Sequence, residues 1–195
     1  YGTIGGGHSN YVYAYAGTVS GGMSNTVKGK HASVGGGNLN VAVVDFSTVL
    51  GGKYNYNYGA SANIAGGYYN SAYGPSSTIG GGSYNSVYAE DGVIGGGYGN
   101  YVSASTGAQG VVLGGNVNKV YNGYTFIGGG DANSVSGMYG SIGGGTANSV
   151  SGFAAVIGGG NSNTATGRTA VVNGGYGNSV PSDWGYIAGG VSNTV

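Results

Sequence analysis

The sequence predicts an all-β chain, a parallel β-solenoid (β-roll) of about thirteen coils with a 15-residue repeat. Three observations predict it. An Asn recurs at Asn10, Asn25, Asn40, Asn55, Asn70, Asn85, Asn100, Asn118, Asn133, Asn148, Asn163, Asn178 and Asn193, every interval being fifteen except the one of eighteen after Asn100. Six residues ahead of each Asn stands a branched aliphatic: Ile4, Val19, Val34, Val49, Ile64, Ile79, Ile94, Val112, Ile127, Ile142, Ile157, Val172 and Ile187. Two and three residues after that aliphatic the chain always has Gly-Gly, as at Gly6-Gly7 and Gly189-Gly190.

A short, strict period marks a stacked repeat. The aliphatics come first in each unit. Alternation of period two on both sides of the Gly pair makes both halves strand-like, with side chains pointing alternately in and out. Helix is excluded, because no 3.6-residue apolar period survives so much Gly and β-branched residues favour strands. A unit with two short strands cannot bury a face on itself, but it can stack on the coils above and below. The Ile and Val set is therefore the core.

The Gly pair follows. It is where the chain reverses between the two strands, through backbone angles or close approaches that a Cβ would forbid. The residue before the pair varies (Gly5, Ser20, Leu50, Ala65, Asn173), so a pair and not a triplet is required. The Asn comes next and is inward by parity with the Val or Ala two places on, such as Val12 or Ala42; Asn57 is the single polar exception at that site. Stacked about 4.8 Å apart, such amides form a coil-to-coil ladder and hold the adjoining turn. Coils at that spacing make a rod on the order of 60 Å long. Residues 1–195 read as one solenoid domain, uncapped at both ends, with a three-residue insertion within 103–110. Open coil edges invite stacking.

Tyr clusters at the variable positions. Tyr54, Tyr56, Tyr58, Tyr68, Tyr69, Tyr73, Tyr84, Tyr88, Tyr98 and Tyr101 point mostly outward by parity and would stack into aromatic files on one face. Tyr offers apolar area with a polar handle, so Tyr54, Tyr56, Tyr58, Tyr69, Tyr73, Tyr84 and Tyr88 form the candidate association surface.

Composition narrows the function. Ten charged residues and a formal net charge of zero give no electrostatic reason to expect nucleic acid or an anionic membrane as partner. No apolar run is long enough to span a bilayer, so membrane insertion is not expected in this segment. Absence of Cys excludes disulfides and permits an extracellular location. The Gly-rich loops are not phosphate loops: no Lys-Ser or Lys-Thr follows them, and no helix follows for a phosphate to cap. His8 and His31 sit in different parts of the repeat, and Glu90-Asp91 is the only acidic pair. Catalytic, cofactor-binding and metal sites are not expected. The chain reads as a non-enzyme.

The "GGGxxNxVxG…(T/S)(I/V)GGG" pattern resembles the β-roll head repeats of trimeric autotransporter adhesins, the YadA-like surface proteins of Gram-negative bacteria. The resemblance covers the whole chain. It implies a left-handed parallel β-roll, three chains side by side, exposure at the cell surface, and adhesion to matrix, host or neighbouring cells. The expectation is an extracellular structural protein, a self-associating solenoid forming a surface fibre or adhesin rod, with its own copies as partners in a homotrimer or end-to-end filament. The alternative is an adhesin head that binds a host or matrix ligand. A remote alternative is ice binding through the file Thr3, Thr18, Thr48 and Thr78, which Ser33 and Asn63 interrupt and Val93, Val111 and Phe126 end.

Overall fold

A computed structural model describes residues 1–104 and 109–195; the segment 103–110 expected to hold the insertion includes 105–108, which lie outside the described residues. The chain is an all-β solenoid of parallel sheets, and the described residues contain no helix. It divides into two compact units, Tyr1–Gly99 and Asn100–Val195.

In the first unit, one sheet is built from the strands Thr3–Ile4, Thr18–Val19, Ser33–Val34, Thr48–Val49, Asn63–Ile64, Thr78–Ile79 and Val93–Ile94. The second is built from Tyr11–Val12, Thr26–Val27, Val41–Ala42, Tyr56–Asn57, Ser71–Ala72 and Ser86–Val87. The second unit repeats the plan. Its sheets comprise Gly110–Val112, Thr125–Ile127, Ser141–Ile142, Val156–Ile157, Val171–Val172 and Tyr186–Ile187, and Tyr101–Val102, Lys119–Val120, Ser134–Val135, Ser149–Val150, Thr164–Ala165 and Ser179–Val180.

The sequence period is the register. Thr3 pairs with Thr18 and Ile4 with Val19, and in the second unit Ser141 pairs with Val156 and Ile142 with Ile157. Like residues therefore lie on like residues. Val19, Val34, Val49, Ile64, Ile79, Ile94, Val112, Ile127, Ile142, Ile157 and Val172 are fully buried, and Ile187 is 5% exposed. Ile4, in the first coil with a neighbour on one side only, is 47% exposed. Each fully buried aliphatic contributes roughly 1.5–3 kcal/mol of transfer free energy.

Two features of the coil differ from the sequence reading. The first is a third line of pairing. Besides its two strands, each coil is bridged two residues before the Asn, through His8, Met23, Asn38, Lys53, Tyr68, Ser83 and Tyr98 in the first unit. A fifteen-residue turn closed on three sides leaves less backbone unpaired than a two-sided one.

The second concerns the corners, which do not depend on Gly alone. The residue just before the Asn has positive φ even when it is Leu39 (57°), Tyr54 (58°) or Val117 (54°), as does the residue six after the Asn, such as Phe46 (61°), Tyr139 (60°) or Trp184 (61°). L-residues enter this region at a cost on the order of 1 kcal/mol or more. Hydrogen bonding offsets it. Most strand N–H groups donate to the following coil, as Thr18 does to the Ala32 carbonyl at 3.0 Å, whereas the left-handed corner residues donate backwards: Leu39 to Met23 at 3.0 Å, and Phe46 to Lys30 at 2.9 Å. Among the described residues, no buried side-chain polar atom lacks a hydrogen-bond partner.

Candidate association surface

The inside of the coil explains what is left for the outside. Asn148 represents the ladder. Its Nδ2 donates to the carbonyls of Gly144 and Gly160, both at 3.0 Å, and to Asn133 Oδ1 at 3.1 Å, so one of its two protons is shared. Its backbone N–H also donates to Asn133 Oδ1 at 3.0 Å. In turn, Asn148 Oδ1 accepts from Asn163 N at 3.0 Å and Nδ2 at 3.2 Å. One amide thus ties three coils together. Asn25, Asn40, Asn55, Asn70, Asn85, Asn100, Asn118, Asn133, Asn148, Asn163 and Asn178 are buried, while Asn10 is half-buried and Asn193 exposed in the outermost coils.

The Gly pair is unequal. The second Gly has φ near +90° in every coil, from Gly82 at 80° to Gly190 at 103°. A Cβ on Gly145 would lie 2.1 Å from the Gly160 carbonyl oxygen and 2.8 Å from Asn148 Nδ2, so side chains are excluded by both conformation and space. The first Gly is different. A Cβ on Gly6, Gly21, Gly51, Gly96, Gly174 or Gly189 would meet nothing within 4 Å. Close approach requires the second Gly and not the first, while at Gly66, Gly81 and Gly129 the first Gly also takes positive φ, 151–157°.

Asn57, the polar exception among the inward valines, is fully buried and satisfied. Its Nδ2 donates to Ala62 O at 2.7 Å and Thr48 O at 3.0 Å, and its Oδ1 accepts from Gly59 N at 3.2 Å.

With the interior closed, the recognisable surface chemistry is aromatic. Tyr54, Tyr69 and Tyr84 occupy the left-handed corner before the Asn in three successive coils and stack nearly parallel, with ring centroids 4.6 and 5.4 Å apart. Tyr58, Tyr73 and Tyr88, three residues after the Asn in the same coils, form a second file at 5.1 and 4.4 Å. Tyr56 lies on the strand between these positions and stacks with Tyr58 at 6.3 Å. The coil repeat alone sets this spacing. Tyr68 adds edge contacts to Tyr69 at 4.7 Å and Tyr84 at 5.6 Å, and Lys53 Nζ lies 5.1 Å from the Tyr54 ring centroid. Neighbouring rings strip water from the phenols of Tyr68 and Tyr69, and adjacent phenols oppose further negative charge, so both ionise above the ordinary tyrosine value.

A further file escaped the sequence reading. His31 stacks on Phe46 at 5.3 Å, both of them six residues after an Asn, and meets Tyr15, five residues after Asn10, edge-on at 5.8 Å. The signal was the left-handed corner six residues after the Asn, whose occupants look unrelated in sequence. On the first sheet of the first unit, Leu50, Ala65 and Gly80 border a shallow groove of ≈ 120 Å³ with Thr48, Asn63 and Thr78.

The described residues contain no group of three or more His, Asp or Glu that could hold a metal ion, and no helix long and apolar enough to cross a membrane. Comparison with protein-family models and with curated proteins finds no match.

Proposed function

We propose that this chain is a non-enzymatic extracellular structural protein, a β-solenoid that associates with its own copies as a surface fibre or adhesin rod. The observation that carries the reading is the aromatic surface of three successive coils, where Tyr58, Tyr69, Tyr73, Tyr84 and Tyr88 are 37–47% exposed on a framework whose interior is already satisfied. Clustered exposed aromatics of this kind favour association, since each buries a large apolar area at little entropic cost. The 15-residue Gly-rich repeat supports a kinship with the YadA-like head repeats of trimeric autotransporter adhesins, and with it a cell-surface location and three chains side by side. Scattered acids and bases, five of each, supply no grouped catalytic chemistry.

Electron microscopy and sedimentation of the purified chain test the proposal. A particle with threefold symmetry around the solenoid axis, or a filament, is expected. Exchange of Tyr54, Tyr69, Tyr84, Tyr58, Tyr73 and Tyr88 for Ser should dissolve the assembly while leaving the β-sheet circular dichroism in place. A monomer at all concentrations rejects self-association.

A further inference from the structure

The coil repeat sets the spacing of the Tyr58–Tyr73–Tyr88 file but not the choice of Tyr in it. Three residues after the Asn the other coils carry Tyr13, Lys28, Val43, Ser103, Tyr121, Ser136, Ser151, Thr166 and Pro181, so the position tolerates many side chains. Only here do three consecutive coils carry Tyr. The rings are nearly parallel, at 5° between Tyr58 and Tyr73 and 8° between Tyr73 and Tyr88, and the latter pair has its ring centroids 4.4 Å apart. All three remain accessible, 40%, 39% and 46% exposed. Tyr73 has a ring of the file stacked on each side, which leaves its edge and hydroxyl as the part open to solvent. Such a surface suits chemistry at the ring edge better than stacking of a flat ligand on the ring face.

We propose that this file is an oxidative cross-linking site, where Tyr73 and Tyr88 join as dityrosine and Tyr58 and Tyr73 are the next pair to couple. Each phenol gives one electron to a one-electron oxidant, such as a peroxidase intermediate, and its proton to water. The two phenoxyl radicals carry spin density on the ring carbons ortho to oxygen. A carbon–carbon bond forms between the two Cε atoms, and each ring recovers its aromaticity by moving the Cε hydrogen to its oxygen. Two hydrogens are lost in total, and one hydrogen peroxide is reduced to two waters. Nothing leaves from the backbone. Because the partners lie fifteen residues apart in sequence and one coil apart in space, the bond staples neighbouring coils in a chain that contains no Cys. The coil repeat already holds the rings in register, and coupling requires rotation about the side-chain torsions to turn the ring edges toward each other.

The proposal does not rest on self-association, and it is tested on dispersed single chains. The 195-residue chain, diluted until it sediments as a monomer, is treated with peroxidase and hydrogen peroxide. Dityrosine fluorescence, intact mass and peptide mapping are then read on the monomer fraction. A loss of two hydrogens, mapped to a peptide pair containing Tyr73 and Tyr88, is expected. Tyr73→Phe, which keeps the ring stack, should lower the monomer's dityrosine yield several-fold, while Tyr124→Phe, in the stacked Tyr124–Tyr139 pair at 5.2 Å, should leave most of it. Links found only between chains, no loss of hydrogen from the monomer, or a yield unmoved by Tyr73→Phe would each overturn it.

Discussion

The coils around Asn55, Asn70 and Asn85 and those around Asn133, Asn148 and Asn163 share an interior and differ outside. Asn70 Nδ2 donates to Gly66 O and Gly82 O at 2.9 Å, and Asn148 Nδ2 to Gly144 O and Gly160 O at 3.0 Å. The surface tells another story. Where the first set presents Tyr54, Tyr69 and Tyr84 before the Asn, the second presents Ala132, Ala147 and Ser162; where the first has Tyr58, Tyr73 and Tyr88, the second has Ser136, Ser151 and Thr166. The corner conformation is the same, with φ of 58° at Tyr84 and 53° at Ala147. Backbone closure therefore owes nothing to the aromatic rings. The framework is set inside, and the outside is free to carry function.

The largest expected break falls on both regions alike. Gly82→Ala and Gly145→Ala each force a Cβ to 2.1 Å from the next coil's carbonyl oxygen at positive φ, and each should cost at least about 3 kcal/mol, measured by denaturant unfolding. A marked difference between them would mean that the Tyr files support the framework after all.

A smaller effect separates two buried amides. Asn148→Ala removes the donors serving Gly144 and Gly160 and the acceptor serving Asn163, and should cost about 2–4 kcal/mol in chemical denaturation. Asn57→Val should stay within about 1 kcal/mol of the parent, because every other coil carries Val or Ala at this site, with Ala42 and Ala72 on either side, and the Ala62 carbonyl also accepts from Thr48 N at 2.9 Å. If Asn57→Val proves as costly as Asn148→Ala, the ladder position is not special.

The smallest effect is confined to the aromatic coils. Tyr68 and Tyr69 have folded-state pKa values raised by local desolvation and by neighbouring phenols. The neutral phenols thus favour the folded state at every pH below the unfolded value of about 10, and that contribution is lost as pH rises through the raised folded value. Ultraviolet titration of phenolate absorbance should resolve a late-ionising fraction, and Tyr84→Phe should move Tyr68 back toward the ordinary value.

Much of the architecture was legible in the sequence because in-register stacking turns period into contact. Once Asn133, Asn148 and Asn163 recur at fifteen, they must lie over one another, and the same holds for Ile127, Ile142 and Ile157. The candidate surface was legible only as a cluster. Stacking accounts for rings of the same repeat position, but not for the left-handed corner that aims Tyr54, Tyr69 and Tyr84, nor for the file that His31 shares with Phe46.

The sequence by itself determined the period, the inward residues, the amide ladder and the concentration of Tyr in three coils, since each follows from which side chains repeat and at what spacing. Only the tertiary structure decided the third line of bridges, the left-handed corners at residues as bulky as Leu39 and Trp184, the unequal roles of the paired glycines and the distances between rings. The physical reason is closure. A fifteen-residue coil must turn back on itself with its backbone hydrogen bonds satisfied by the coils on either side, and the torsions that achieve this belong to the whole stack and not to any local run of residues.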